Sequence, residues 1–488
     1  MICGMKKRIL KVLSEKGILA EPEAIDALAN SQNAMKCVEA ILQGSQDRPL
    51  ILTKADVEQF IQCAPRQHLG SSKAPKDEAR LASVPDSEHA RDIKILKDIT
   101  GDSTCVGNVI DFVKLFNDRY SAIKRMLAKR RELSGLMTIS RAMRVERDVK
   151  FVAMVNDVRV TKNGHTMLEV EDEDDKVRVL IMKGAKKGLD SFVKDEVIGI
   201  VGSLSKDREV VIAKDIIRPE VPINSGMTPN GSDSVVAFVS DIHVGSTEFL
   251  QDAWMRFMAW LKENPAAEDV RYIVMPGDLV DGIGIYPGQE DELLIEDVYD
   301  QYTELARLVA MIPQRIRIVM MPGNHDAVRL AEPQPALPSQ VTSMFDSRVV
   351  FAGNPCYFEI EGRTILAYHG RSMDDFIGNI HALSHQRPDE VMKEMLRRRH
   401  LAPLYGGLTA LAPEQKDYLV IDKVPNVFVT GHVHTCVTAE YRGIRLINAS
   451  AWQAQTAYQR MHNQVPDPAK VPMMSLGTGE TWIENFST

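Results

Sequence analysis

VVAFVSDIHVGS, residues 235–246, sets five apolar residues and one serine before an Asp-x-His. An unbroken apolar run of this length reads as a strand buried on both faces. Asp241-Ile242-His243 then falls in the loop at the strand's carboxyl end, where open α/β sheets gather ligand-binding residues. The same pattern recurs four more times. Tyr272–Met275 precede Gly277-Asp278 in PGDLVDG, and Arg317–Met321 precede Gly323-Asn324-His325-Asp326. Thr364–Ala367 precede Tyr368-His369-Gly370, and Asn426–Val429 precede Gly431-His432-Val433-His434. With helices expected near 251–263 and 291–311, the alternation predicts an α/β domain over 232–488 with a layered β-sandwich core.

The residue types at these strand ends suit divalent cations. Carboxylate and imidazole hold Mn, Fe or Zn without a cysteine. Asp241, His243, Asp278 and His434 are expected to hold one ion. Asp278, Asn324, His369 and His432 are expected to hold a second, with Asp278 as the bridge. Two ions about 3.5–4 Å apart polarise a phosphodiester and lower the pKa of a bridging water, which then attacks phosphorus in line. His325 is not needed as a ligand and is free to stabilise or protonate the leaving oxygen. A carboxylate should orient its ring, and Asp281 and Asp326 are both candidates. A lone His-x-His or Gly-Asp is usually structural; five such motifs in order, each behind an apolar strand, point to metal. His381 and His385 lack the glutamate of a His-Glu-x-x-His site and read as an ordinary helix face. Cys436 reads as strand packing.

Upstream, the pattern changes twice. Residues 138–220 hold β-rich runs at Phe151–Val155, Thr166–Val170, Val177–Ile181, Val197–Gly202 and Glu209–Ile212, separated by turn signals such as Lys162-Asn163-Gly164. Five strands in this span suit a barrel of the oligonucleotide/oligosaccharide-binding type. The acidic run Glu169–Asp175 reads as a solvated hairpin tip. Residues 105–137 read as a helical connector whose basic end (Lys124, Arg125, Lys129, Arg130, Arg131) is a solvated face or a phosphate contact. Residues 65–104, rich in Pro, Ser and charge near 64–90, read as a flexible linker. Residues 1–64 carry apolar positions at helical spacing (Ile9 to Leu19, Ala24 to Ile41, Ala55 to Ile61) and read as a helical module. The whole is a multidomain α+β chain.

The remaining features bound the function. At 488 residues a chain holds about three domains. The net charge of −8 argues against a generally cationic coat but permits a local basic groove. Six scattered cysteines with no Cys-x-x-Cys fit a reduced cytoplasm better than a disulfide framework. No run approaches the ~20 apolar residues of a membrane span, and Met1–Lys16 has no signal-peptide core, so no membrane partner is expected. The acidic stretch QEDELLIEDVYDQ, 289–301, is expected to face solvent or a partner. Trp452 and Tyr458 are expected to cap the core, while Met473, Met474 and Trp482 either join it or dock a partner.

The motif set resembles the calcineurin-like metallophosphoesterase superfamily over 235–435. Within it, the domain order, the phrase GHVHTCVTAEYRGIRLINASAWQAQTAYQRM and the later PDPAKVP resemble the small subunit of the archaeal family D DNA polymerases over most of 100–475. The resemblance implies a 3′–5′ exonuclease that proofreads for a separate large polymerase subunit. It carries ligand and catalytic roles onto Asp241, His243, Asp278, Asn324, His325, His369, His432 and His434. Mn²⁺ is favoured over Mg²⁺ by the histidines, with Fe²⁺ or Zn²⁺ as alternatives. Implied partners are the large subunit, a primer-template and a sliding clamp, in a nucleoid-associated archaeal cytoplasm. Eukaryotic polymerase B-subunits are similar in architecture but have lost such ligands. Two rival readings are a phosphatase or nucleotide phosphoesterase with the same metals, and a scaffold subunit with a vestigial site.

Overall fold

The computed structural model describes residues 19–20, 51–52, 93–145, 148–184, 191–223 and 226–487. The chain divides into two compact units, Met1–Pro85 and Asp86–Thr488. In the first unit β1 (Leu19–Ala20) pairs in parallel with β2 (Ile51–Leu52). Leu19, read from sequence as helical, is therefore in a strand; Gly17 and Pro22 leave only a short apolar run between breakers. The helices expected over 24–41 and 55–61 lie outside the described residues, as does the linker up to residue 92.

The second unit opens with a correction to that linker. β3 (Ile93–Lys97) is a strand, paired antiparallel with Cys356–Ile360. A five-residue run at a sheet edge draws its stability from a partner some 260 residues away, so its own sequence carries little signal. Helix α1 (Val109–Leu127) follows, its N-terminus closed by a capping box between Asn108 and Asp111. It stops at Leu127 instead of running on to 137. A 3₁₀ turn over Arg131–Leu133 then lays Leu133 on the outer face of the barrel with Tyr120 and Leu127, against Gly199, where a Cβ would lie 2.4 Å from Leu133 Cδ1.

β4 (Val149–Val160), β5 (Thr166–Glu171), β6 (Lys176–Ile181), β7 (Val197–Leu204) and β8 (Val210–Ile217) close into a barrel in the order β4-β5-β6-β8-β7. All five strands expected from sequence are present. Alternation explains how β4 is buried on both sides. Val149, Phe151, Ala153 and Val155 point into the barrel, while Val152 and Met154 pack under Tyr120, Ile123 and Leu127 of α1. The acidic tip folds back: Asp172 accepts the Ile139 backbone N–H at 2.7 Å, and Glu173 pairs with Lys124 at 2.9 Å. Arg125, Lys129 and Arg131 stay exposed.

Two six-stranded sheets make up the rest. The first contains β9 (Val235–Phe238), β10 (Val270–Pro276), β11 (Arg317–Met321) and β12 (Val349–Phe351), all parallel, extended antiparallel by β18 (Lys470–Ser475) and β19 (Thr481–Asn485). The second contains β3, β13 (Cys356–Ile360), β14 (Arg363–Ala367), β15 (Val427–Thr430), β16 (Val437–Tyr441) and β17 (Ile444–Asn448), with β14, β15 and β17 parallel. Val236, Phe238, Val274 and Met321 of the first sheet share one buried core with Phe358, Ile365, Val427 and Ile447 of the second. The alternate residues of β9 and β10, Val235, Ala237, Ile273 and Met275, face helices α2 (Gln251–Glu263) and α3 (Val298–Ala310). On the far side, Leu366 and Phe428 pack under α4 (Met373–Asn379) and α5 (Pro388–Arg398). The strands β9, β10, β11, β14 and β15 thus bury both faces, which is why each reads as a nearly continuous apolar run. Trp452 joins the α2–α3 core at 1% exposure, as expected, together with Met473; Met474 lies in the inter-sheet core.

Arg119 of α1 ties the connector to this part of the molecule. Its Nε donates to Asp417 Oδ2 at 2.8 Å and its Nη1 to Pro403 O at 2.6 Å, and His400 Nε2 lies 2.9 Å from the same carboxylate. No described helix is long and apolar enough to cross a membrane.

Candidate metal centre

The five motifs occupy the carboxyl ends of β9, β10, β11, β14 and β15. The chain must turn sharply there while keeping its side chains aimed at a common point. Five of the six aspartates and histidines expected as ligands do so in left-handed conformations: Asp241 (φ 51°), His243 (53°), Asp278 (48°), His432 (69°) and His434 (55°). Such a backbone costs of order 1–3 kcal/mol per residue and concentrates at functional sites. Gly277, at φ 106°, shows why the motif needs glycine: a Cβ would lie 2.7 Å from both Gly323 N and His369 Nδ1.

The structure brings all seven expected ligands together. Asp241, His243 and His434 form one group able to hold an ion, and Asp278, His369 and His432 another, with donor atoms within 4.8 Å of one another. Asn324 Oδ1 lies 3.1 Å from His369 Nε2. His243, Asp278 and His325 also converge within 4.8 Å, so proximity alone does not set His325 apart from the ligands.

The hydrogen bonds test whether a cation fits. His369 Nδ1 faces the Pro276 carbonyl at 3.0 Å, and a carbonyl only accepts, so Nδ1 carries the proton. The neutral ring's Nε2 is then a bare lone pair, 3.3 Å from Asp278 Oδ2 and 3.1 Å from Asn324 Oδ1. Three acceptors meeting in a buried space need a positive charge between them. Without an ion, a proton serves. Burial opposes the charge on His369, but Asp278 outweighs it and pushes the pKa up to about 9. Burial likewise acts against ionised Asp278, yet the surrounding His369 and His325 hold its carboxyl well below the usual range. His243 repeats the pattern: its Nδ1 lies 3.0 Å from Asp281 Oδ1, which leaves Nε2 for the centre. Burial holds both His243 and His432 below the ordinary histidine value, keeping them neutral and available to a cation. The donor set fits divalent metal.

Neither carboxylate proposed as the orienter of His325 serves that role. The Asp281 carboxylate is committed to His243 and is braced by Gln289 at 2.9 Å and Gln453 at 3.1 Å. Asp326 accepts the backbone N–H groups of Gly323 and Leu279 and the Tyr302 hydroxyl. Burial and nearby Asp278 push Asp326 up to about 6. The His325 ring is instead fixed by the Asp281 backbone carbonyl, 2.7 Å from Nδ1. Main-chain contacts of this kind leave no trace in residue types.

His385 is also corrected. α4 ends at Asn379 and α5 starts at Pro388, so His381 and His385 lie on turns and not on a helix face. His385 Nε2 reaches Asp374 Oδ1 at 3.0 Å, while Asp374 Oδ2 holds His432 Nε2 and Arg371 Nη1, each at 3.1 Å. This network escaped the sequence reading. Arg371 alone had a cue, sitting two residues past His369. Cys436 is buried, with burial pushing its thiol up to about 12, which agrees with a packing role. In the acidic stretch, Glu290, Asp291, Glu296 and Asp300 are exposed, whereas Gln289 and Gln301 are fully buried braces of the loop after β10.

Comparison with known proteins follows this geometry closely. The family of the B-subunits of DNA polymerases alpha and epsilon matches residues 236–438, the span of all five motifs. The DNA polymerase II small subunit of Methanothermobacter thermautotrophicus is 43% identical, covering 82% of this chain and 84% of that one. The chain belongs to the small-subunit family of the archaeal family D polymerases. Another member, the DNA polymerase II small subunit of Archaeoglobus fulgidus, is 42% identical over 88% of this chain and 87% of its own. That of Halobacterium salinarum is 38% identical over 98% and 99%. A novel archaeal phosphodiesterase of known structure aligns with a TM-score of 0.27 at 12% identity, over 51% of this chain and 98% of its own, too low a similarity to bear on the fold. This small subunit thus places at these strand ends a donor set capable of holding metal.

Proposed function

We propose that this small subunit is a two-metal 3′–5′ exonuclease that proofreads for a separate large polymerase subunit. Its C-terminal sandwich is read as a metallophosphoesterase domain and its barrel as an oligonucleotide-binding module. The observation carrying the proposal is the convergence of lone pairs: His369 Nε2 meets Asp278 Oδ2 at 3.3 Å and Asn324 Oδ1 at 3.1 Å, and His243 Nε2 lies 3.9 Å from the same Asp278 oxygen. Asp241, His243, Asp278 and His434 would hold one ion, and Asp278, Asn324, His369 and His432 the other, with Mn²⁺ the best match. When bound, two such ions polarise a phosphodiester and acidify a water.

The protein's own groups do the rest. His325 keeps its Nδ1 proton on the Asp281 carbonyl, so protonating the leaving oxygen requires a second proton, on Nε2. The His325 side chain is 15% exposed, against 0–3% for His369, His243 and Asp278, and so has the access to substrate that those groups lack. Asp281 orients His243, and Asp374 orients His432. Asp326 stays behind the site, holding the loops after β10 and β11 together.

The test uses the chain alone and with its large subunit, each with Mn²⁺ and a 3′-mismatched primer-template. Stepwise loss of 3′ nucleotides, abolished by Asp278→Ala, is expected. Intact primer with hydrolysis of a phosphoprotein would support the phosphatase reading instead. Bound metal with no hydrolysis at all would support a scaffold.

A further inference from the structure

Tyr458 departs from the role its sequence suggests. It does not cap the core: it is 51% exposed, on helix α6 (Ala457–Met461), which buries none of its residues. With Tyr286, from the loop after β10, it lines the cleft of about 250 Å³ that also contains Asp278, His325 and His434. The two ring centroids are 6.2 Å apart, with planes 32° from parallel.

Both rings are held in place from behind. Tyr286 donates its hydroxyl proton to Glu292 at 2.8 Å. His462 packs on Tyr458 at 4.2 Å between centroids. A capping box between Thr456 and Gln459 closes the start of α6, and Gln459 also contacts His434 Nδ1 at 2.9 Å. The Tyr458 ring is therefore tied by one turn of helix to a ligand of the centre. Stacked bases lie about 3.4 Å apart, so a planar base between two rings needs about 6.8 Å, slightly more than the 6.2 Å seen, and the exposed Tyr458 ring swings outward to admit one. Hydrolysis at phosphorus requires neither ring.

We propose that Tyr286 and Tyr458 form a clamp for the nucleobase of the nucleotide being removed, seating its phosphodiester at the metal centre. The clamp deepens the exonuclease reading and rests on it. Stacking uses the π-face that every base has, so the clamp takes any base and rejects a terminus without one.

The test uses the complex of this chain with its large subunit, Mn²⁺, and two primer-templates. They are identical except that one primer ends in an ordinary 3′ nucleotide and the other in a tetrahydrofuran abasic analogue. At subsaturating primer, the wild type should remove the ordinary terminus about 5- to 100-fold faster. Tyr458→Ala, and more so the Tyr286→Ala/Tyr458→Ala pair, should bring that ratio towards one, mainly through KM. Tyr458→Phe and Tyr458→Trp keep a π-face and should retain the ratio. A wild-type ratio near one overturns the clamp. So does a Tyr458→Ala variant in which both rates fall together, since the ring would then be structural. Release of no nucleotide from either primer by the wild type would overturn the exonuclease reading, and the clamp with it.

Discussion

His369 and His325 differ in what their second nitrogen meets, and that difference sets their expected behaviour. His369 Nε2 is fully buried against Asp278 and Asn324, and its pKa of about 9 means that the metal-free site holds a proton at neutral pH. Metal must displace that proton, because only the neutral ring coordinates. Mn²⁺ affinity should therefore rise with pH up to about 9, with a proton released near pH 7. Calorimetry in buffers of different ionisation enthalpy would show this, and pH-independent affinity would contradict it. His325→Ala should leave Mn²⁺ binding nearly intact and lower turnover by about 10²- to 10⁴-fold, the usual range for a general acid. Gly277→Ala should instead lose metal, since its Cβ has no room beside His369. The seven converging side chains were legible because Asp-x-His and Gly-His-x-His are short, local patterns. The Asp374 network was not: its partner His432 lies 58 residues away, and no spacing rule links them.

Among the elements, α1 carries a buried ion pair that ties it to the loop containing Asp417. Arg119 and Asp417 are both fully buried, and removing one partner of such a pair leaves the other charge uncompensated, a loss of about 3–5 kcal/mol. Arg119→Leu should lower the unfolding free energy by about that amount, as measured by denaturant titration. His400 beside them adds a pH term. Burial, then Arg119, push it down to about 4, below the ordinary value of about 6.5. The unfolded chain then binds the extra proton between those values. The stability this site confers is complete above pH 6.5 and is lost as pH falls towards 4, by on the order of 3 kcal/mol. His400→Gln should flatten that part of the stability profile; an unchanged slope would remove His400 as its cause. The five barrel strands were readable from alternation and turn residues, and the strands behind the motifs from their apolar runs. β3 was not, because five residues, Ile-Lys-Ile-Leu-Lys, acquire a strand's environment only when β13 lies beside them.

Across the whole molecule, two sheets with a shared core bring the ends of five parallel strands from both sheets to one point. This convergence was expected from five motifs that each follow an apolar strand, although no spacing rule links them across the 194 positions from Asp241 to His434. It turns the separate motifs into one cluster of side chains able to hold an ion. The most direct test is to follow a 5′-labelled, 3′-mismatched primer-template with Mn²⁺ and this chain joined to its large subunit, comparing wild type with Asp278→Ala. A ladder shortening one nucleotide at a time from the 3′ end, absent in Asp278→Ala and in chelator, is the predicted result. An intact primer, or a ladder that persists in Asp278→Ala, would contradict it.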